Sequence, residues 1–169
     1  MKRLKKNNRL GFTIIEMLIV ISIIAVITAA VIVAGNRARI AARDAERINT
    51  MGQVVLALER YHEKYRGYPN SDNAGCGGWD TPGNGTFIDV LRTEGFLTNK
   101  VKDPKGDSDC GNYRYYKYAA SVYGCPADYY VLEIMDMEKT TGKHKESKGW
   151  ACGTRDWTSE AEWVTGHFQ

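Results

Sequence analysis

A run of twenty residues without a charged side chain, Met17 to Asn36, constrains this chain more than any other feature. The run is rich in Ile, Val and Ala, and a helix of this length, at about 1.5 Å per residue, crosses roughly 30 Å of hydrocarbon. We therefore expect a membrane span. A cleaved secretory signal is the alternative, since Ala25 and Ala29-Ala30 imitate a small-residue cleavage site, although apolar signal cores usually cover only about 7–15 residues.

Positive charge is concentrated ahead of this run. Five of the 23 Lys and Arg residues lie among the first eleven residues, which leaves 18 basic residues against 20 acidic ones in the rest of the chain. Short basic flanks stay on the cytoplasmic side of a membrane, so we expect the chain beyond the span to be exported. The rest of the chain offers no general electrostatic argument for binding nucleic acid, so no nucleic acid partner is expected.

The apolar pattern continues beyond the span as a stripe along a helix. From Ala41 to Tyr65 apolar residues recur three and four positions apart, with charged residues between them, as on a helix with one buried face. Gly67 and Pro69 are the expected stop signal. The sequence therefore predicts one long helix over residues 12–66, of which residues 12–36 are transmembrane.

Residues 67–169 are expected to form a small exported head. A Gly-, Asn- and Asp-rich loop comes first, and a short helix is predicted over residues 86–93. Two stretches rich in aromatic and β-branched residues, 112–121 and 128–137, predict antiparallel strands joined by a hairpin turn. The second strand should present alternate residues to one face, namely Tyr130, Leu132 and Ile134. The tail from Lys139 shows no regular pattern, and the predicted fold class is α+β: a long N-terminal helix and a head with a short antiparallel sheet.

All four cysteines follow the span: Cys76, Cys110, Cys125 and Cys152. An even number of cysteines in an exported segment predicts two disulfides, with three pairings that the sequence leaves open. The wide spacing, without a CxxC motif, argues against a zinc site. Four reduced thiols packed as small apolar groups are the alternative.

The junction between the basic segment and the apolar run carries a specific motif. It reads GFTIIEMLIV, with Gly11, then Phe12, and Glu16 as the fifth residue from Phe12. This pattern resembles the N-terminus of type IV prepilins and type II secretion pseudopilins. The later segments ALERYHEKYRGYP, DVLRTEGFLTNKVKDP and YRYYKY are most similar to the major pseudopilin layout. The resemblance implies that prepilin peptidase cuts between Gly11 and Phe12, that residues 1–11 are a cytoplasmic leader, and that the freed Phe12 amine is methylated.

The same resemblance implies that Glu16 is an assembly residue. In the family this carboxylate is thought to meet the N-terminal amine of a neighbouring subunit, which here belongs to Phe12. A buried charge without a partner is heavily penalised, so such a pair would fix the stagger between subunits. The alternative is an interfacial carboxylate that reaches the lipid headgroups, since an acid at the centre of a span costs about 2.5–3.5 kcal/mol.

The resemblance further implies a structural filament subunit and not an enzyme. Its expected partners are copies of itself, minor pilins or pseudopilins, prepilin peptidase and an inner-membrane assembly platform. Before assembly the subunit would cross the inner membrane once, with its head in the periplasm or outside the cell. We expect a type II secretion pseudopilus; a type IV pilus for adhesion, motility or DNA uptake is the alternative, and a membrane-tethered binding protein or enzyme is the alternative of a different class.

No cofactor is expected, and calcium has only weak candidates. Asp103, Asp107 and Asp109 place three carboxylates within seven residues, but the usual calcium-loop pattern is absent. Asn84 begins a glycosylation sequon, which matters only in a host that modifies such proteins.

Three tryptophans lie within the last twenty residues: Trp150, Trp157 and Trp163. A small head needs large aromatic side chains to bury enough apolar area, so we expect these tryptophans in the core. A ligand-binding aromatic face is the alternative.

Overall fold

The computed structural model describes residues 12–73, 76–108, 110–139 and 142–169. The chain divides into two compact units, an N-terminal unit, Met1–Arg39, and a C-terminal unit, Ile40–Gln169. Helix α1, Ile14–Tyr65, contributes residues to both units. The predicted long helix is confirmed, and its end is sharp because Arg66 adopts a left-handed conformation with φ 58°.

In the N-terminal unit the apolar side chains of α1 are exposed. Phe12 is 81% exposed, and the large apolar residues that follow, as far as Val33, are at least half exposed. The helix is long and apolar enough to cross a membrane, and no part of its most apolar 18-residue stretch is buried among the described residues. These side chains therefore have no apolar partner among the residues that the structure describes.

The C-terminal unit is built on a three-stranded antiparallel sheet in the order β1-β2-β5. Its strands are β1, Tyr113–Tyr118, β2, Tyr129–Ile134, and β5, Trp163–Phe168. Strand β2 is central and all six of its residues are buried. The first two strands lie within the two predicted stretches, but β5 falls in the tail for which the sequence predicted no element.

The first face of the sheet packs against the second half of α1. Tyr130, Leu132 and Ile134 point to this side, as alternation predicted, and form one core cluster with buried residues of the helix, among them Met51 and Leu58. This part of α1 therefore folds as part of the C-terminal unit.

The second face of the sheet is covered by an aromatic layer. Tyr129 and Val131 of β2 pack in one cluster with Trp157, Val164 and Tyr118. The covering segment contains a two-stranded ribbon, β3, Ala151–Cys152, and β4, Arg155–Asp156. Both faces of β2 are thus buried, and five of its six residues are apolar or aromatic; the exception is Glu133.

The remaining elements are short. Helix α2, Asp89–Thr93, is shorter than the predicted 86–93 because Ile88 adopts a left-handed φ of 41°, and a helix cannot run through that residue. The backbone N–H of Ile88 instead donates to both carboxylate oxygens of Asp80 at 3.2 Å. Four single turns of 3₁₀-helix complete the described chain: Cys76–Gly78, Pro82–Asn84, Val122–Gly124 and Trp157–Ser159.

The four cysteines pair as two disulfides, Cys76–Cys110 and Cys125–Cys152. Their Cα atoms are 4.9 and 5.6 Å apart, and each bridge closes a loop of about thirty residues, which in the chain-entropy view stabilises the fold by roughly 3–4 kcal/mol. One bridge ties the loop after α1 to the segment before β1. The other ties the β1–β2 turn to the ribbon.

Candidate processing and assembly site

The predicted processing site lies only partly within the described residues. Gly11 and the rest of the leader lie outside them, so cleavage after Gly11 stays a prediction. Phe12 is the first described residue and is largely exposed. Helix α1 begins two residues later, at Ile14.

Glu16 and Thr13 form a reciprocal cap at the start of α1. The backbone N–H and hydroxyl of Thr13 both donate to Glu16 Oε2, at 2.8 and 2.7 Å. In return the backbone N–H of Glu16 donates to Thr13 Oγ1 at 3.3 Å. This is the capping box that the pattern Thr-x-x-Glu encodes, and it satisfies backbone donors that the first turn of a helix leaves unpaired. The sequence contains this pattern, but Glu16 was predicted to be a partner for another subunit or an interfacial carboxylate, and not a capping residue.

The cap leaves half of the carboxylate for a second partner. Among the described residues, every hydrogen bond to Glu16 reaches Oε2, whereas an ionised carboxylate accepts through both oxygens. The negative charge also lies in the first turn of α1, where the helix dipole favours it. Glu16 can therefore keep its cap and accept a hydrogen bond from an amine at Oε1.

The hydroxyl group of Ser22 is satisfied within the helix. Ser22 Oγ donates to the carbonyl oxygen of Leu18 at 2.7 Å. A hydroxyl bonded back to its own helix does not need an outside partner in an apolar environment. Glu16 is the one ionisable side chain of residues 12–36, and its role in assembly stays a prediction.

A buried ion-pair cluster fixes α1 to the loops of the C-terminal unit. Arg47 is 2% exposed; its Nε and Nη2 donate to Asp103 at 2.7 and 2.9 Å, and its Nη1 donates to Asp44 at 2.7 Å. Burial raises the pKa of Asp103, but the hydrogen bonds from Arg47 and Asn112 outweigh it and the net pKa is lowered. Arg43 binds Glu138 through two further hydrogen bonds of 2.6 and 2.5 Å, which lower the pKa of Glu138 to about 2.

This cluster gives the calcium prediction no support. The Asp103 carboxylate is engaged by Arg47 and Asn112, Asp107 Oδ1 accepts the backbone N–H of Asp103 at 3.0 Å, and Asp109 lies outside the described residues. Within the described ranges no three His, Cys, Asp or Glu side chains are grouped to hold a metal ion. Asp103 joins its loop to α1 through Arg47.

The tryptophans of the tail belong to the core. Trp157 and Trp163 are buried, one on each face of the sheet. Trp150 is half-buried and its ring lies on Gly166, where a Cβ atom would come within 2.5 Å of the ring. The side chain of Asn84, the sequon residue, lies outside the described part of the chain.

Two buried carboxylates were missed by the sequence reasoning. Burial raises the pKa of Asp80 to about 7, and the nearby charge of Asp72 raises it further. Burial also raises the pKa of Glu133 to about 7, aided by Glu160 and opposed by Arg114. The sequence signal for Glu133 was its position within a strand whose neighbours on both sides are apolar.

Comparison with known families identifies the N-terminal segment. Residues 6–32 match the family model described as the prokaryotic N-terminal methylation motif. The matched range contains the candidate cleavage position, Phe12, Glu16 and most of the apolar run. No curated protein and no solved structure matches the chain.

Proposed function

We propose, from the premise that this chain is a type IV pilin-like or pseudopilin subunit, that its mature form builds a type II secretion pseudopilus. The methylation motif over residues 6–32 carries this proposal. The motif indicates a structural subunit, and the C-terminal unit supplies a compact head for the outside of a filament. The similarity of the head segments to the major pseudopilin layout favours the secretion system over a type IV pilus.

Processing changes the charge of the N-terminus in a way that assembly can use. Cleavage after Gly11 removes five Lys and Arg residues, which hold the leader on the cytoplasmic side. It also creates a new amine at Phe12. The apolar segment that was fixed in one orientation can then leave the bilayer and pack among copies of itself.

Glu16 sets the register of that packing. Its Oε2 stays in the cap with Thr13, and its Oε1 accepts from the Phe12 amine of a neighbouring subunit. In an apolar environment an unpaired carboxylate is costly. A stagger that brings Glu16 to the neighbouring amine is therefore favoured over staggers that do not.

The proposed topology places the leader in the cytoplasm and the head beyond the inner membrane. Two disulfides in the C-terminal unit are consistent with an oxidising compartment. The proposed partners are prepilin peptidase, an assembly platform in the inner membrane, and minor pseudopilins. The proposal requires no cofactor.

The Glu16→Ala variant tests the assembly role. We expect the variant to insert in the membrane and to be cleaved, but to enter filaments poorly, as measured by shearing filaments from cells and quantifying the subunit. Glu63→Ala, which removes an exposed carboxylate from the other end of the same helix, is the control and should assemble normally. Wild-type assembly of Glu16→Ala would refute the register mechanism.

A deletion strain tests which filament system the subunit serves. Loss of protein secretion, with motility and DNA uptake unchanged, is the expected result. Loss of motility or DNA uptake with secretion intact would contradict the pseudopilus and assign the subunit to a type IV pilus.

A further inference from the structure

One loop of the C-terminal unit carries a local excess of positive charge. Residues 142–148, termed the lysine loop, contain three lysines and one acid. A fourth lysine, Lys139, lies just before the loop, and all four lysines are exposed. Beyond the leader the whole chain has 18 Lys and Arg against 20 Asp and Glu, so the excess belongs to this loop. Its lysines are Lys143, Lys145 and Lys148, and its acid is Glu146.

These cations lack acidic partners. Among the described residues the lysines that form ion pairs are Lys64 and Lys117. Lys143 is close enough to Asp156 to matter, since the pKa of Asp156 is lowered chiefly by a hydrogen bond from Thr158 and further by the charge of Lys143. The cations that are left for an outside anion are therefore those of Lys139, Lys145 and Lys148.

Hydrogen bonds fix the lysine loop against α1 and the start of β5. The backbone N–H of Lys139 donates to Asp44 Oδ2 at 2.8 Å. That of Gly142 donates to Glu162 Oε1 at 2.7 Å, and that of His144 donates to the carbonyl oxygen of Glu162 at 2.6 Å. The lysines are thus held beside Asp44 of α1 by the fold.

Asp44 lies close to the end of the apolar run. It follows Asn36 by eight residues, which is about 12 Å of helix at 1.5 Å per residue. The headgroup layer extends roughly 6 Å beyond the hydrocarbon on each side of a bilayer. The remaining gap is shorter than the Debye length of about 8–10 Å at ordinary salt. Lysines beside Asp44 are therefore within electrostatic reach of lipid headgroups.

A cleft of about 430 Å³ separates the lysine loop from α1. Its apolar wall is formed by Ala41, Ala45 and Ile48, and its basic rim by Lys139 and Lys145. Two acids also line the cleft: Asp44, which is bound by Arg47 and by the backbone N–H groups of residues 138 and 139, and Glu146, which is exposed. A headgroup phosphate can approach the rim, because the buried acid is already neutralised by its own chain.

We propose that Lys139 and the lysine loop dock on acidic phospholipid headgroups at the membrane surface from which α1 emerges. This inference rests on the proposed function, in which the subunit resides in the membrane before assembly, and it names the surface that holds the head there. Clusters of lysine next to a membrane span bind acidic lipids in this way. Extraction of the subunit into a filament has to break these contacts.

Lysine reactivity in lipid nanodiscs tests the docking. The full-length chain is reconstituted with phosphatidylcholine alone or mixed with phosphatidylglycerol, and its lysines are acetylated by a neutral ester and quantified by mass spectrometry. We expect Lys139, Lys145 and Lys148 to react about fivefold more slowly in the acidic discs. In about 1 M salt, where the Debye length is about 3 Å, the difference should disappear.

Lys64 is the internal control for this measurement. It is exposed and lies twenty residues after Asp44, about 30 Å farther along α1, so its reactivity should not depend on the lipid. Equal reactivity of the three loop-side lysines in both kinds of disc would overturn the proposal.

A triple variant, Lys139→Gln, Lys145→Gln and Lys148→Gln, tests which residues carry the contact. Acidic nanodiscs receive a trace of phosphatidylglycerol with a photoactivatable group on its headgroup, and lipid adducts are mapped by mass spectrometry. We expect adducts on residues 142–148 of the wild type and at least about fivefold fewer on the triple variant. Lys64→Gln should match the wild type, and thermal unfolding should be the same for all three proteins. Undiminished adducts on the triple variant would overturn the proposal.

A short DNA duplex is the competing polyanion. If DNA protected the same three lysines in phosphatidylcholine discs, and phosphatidylglycerol did not, the loop would be assigned to nucleic acid and the membrane proposal would be wrong. The proposed function fails separately, through wild-type cells that keep an uncut leader and form no filaments. That result would leave the nanodisc measurements unchanged.

Discussion

The two halves of α1 both carry large apolar side chains, but these lie in opposite environments. Ile23, in the N-terminal unit, is 54% exposed, whereas Leu58, in the C-terminal unit, is fully buried. The sheet supplies the partner for the second half, with Leu132 and Ile134 packed in the same cluster as Leu58. The first half has no such partner within the described residues. One helix thus combines a segment that packs within its own chain with a segment that no described residue covers.

The charges in the two halves follow the same division. Arg47 is buried and bound by acids of its own chain. Glu16 is exposed, and its Oε1 is left for an outside partner. Arg47 therefore stabilises the fold, whereas Glu16, under the proposed function, selects a neighbour.

The largest effect is expected from Arg47→Ala. The substitution leaves Asp44 and Asp103 buried without their cation, which typically costs about 3–5 kcal/mol. We expect the free energy of unfolding of the C-terminal unit to fall by that amount in denaturant titrations of the chain in detergent. Arg39→Ala, at an exposed position in the N-terminal unit, is the control and should change it by less than about 0.5 kcal/mol.

Truncation of one apolar side chain in each half tests the comparison directly. Leu58→Ala should lower the free energy of unfolding of the C-terminal unit by about 2–5 kcal/mol, because it leaves a cavity in the core. Ile23→Ala should leave it unchanged, since Ile23 is 54% exposed and packs on no core cluster of the described residues. An equal loss from both substitutions would mean that the first half is part of the folded core.

The pH dependence of stability should identify Glu133 as a buried acid. Its pKa is raised from the ordinary value of 4.5 to about 7, so the folded state binds the proton more tightly than the unfolded state. The contribution of this tighter proton binding to the free energy of unfolding is fully present below about pH 4.5, and it is lost as the pH rises through about 7. We expect Glu133→Gln to be more stable than wild type at about pH 8, by on the order of 2–3 kcal/mol, and equal to it at about pH 4.5.

Asp80 changes the stability of the fold with pH in the same direction as Glu133. Glu138 changes it in the opposite direction, at lower pH. The pKa of Glu138 is about 2, so its contribution is lost only as the pH falls below about 4.5. Glu63→Gln, at an exposed position, should leave the profile unchanged. A Glu133→Gln profile that parallels wild type between about pH 5 and pH 8 would show that Glu133 is ionised throughout.

The smallest effect is expected at the cap of α1. Thr13→Ala removes the hydroxyl that exchanges hydrogen bonds with Glu16, a loss typically worth about 1 kcal/mol, or roughly a fivefold faster hydrogen exchange in the first turn. Exchange should be measured by NMR in micelles. Thr28→Ala, within the same apolar run, should leave first-turn hydrogen exchange unchanged. The unfolding of the C-terminal unit should be unchanged in both variants.

Sequence patterns predicted the long helix and the first two strands. The helix follows from apolar residues at helical spacing, and β1 and β2 from stretches rich in aromatic and β-branched residues, with alternation at Tyr130, Leu132 and Ile134. Strand β5 was missed because Gly166 and His167 interrupt the apolar pattern. Gly166 is there to admit the ring of Trp150, which is a tertiary requirement that local sequence does not encode.

The motif predicted which residues form the candidate site, but it did not predict their local hydrogen-bond geometry. Gly11, Phe12 and Glu16 were identified from their spacing. The Thr-x-x-Glu pattern at Thr13 and Glu16 also encodes the cap, but the prediction for Glu16 considered only its charge. The disulfide pairing and the ion pairs of Arg47 depend on contacts between residues far apart in the chain, which spacing alone leaves open.

The intact mass of the subunit purified from assembled material tests the central claim most directly. A processed filament subunit must begin at Phe12, lack residues 1–11 and carry one added methyl group on its N-terminal amine. A mass that retains the leader, or one that corresponds to cleavage near Ala30, would contradict the account, because either result leaves no amine at Phe12 for Glu16 to meet.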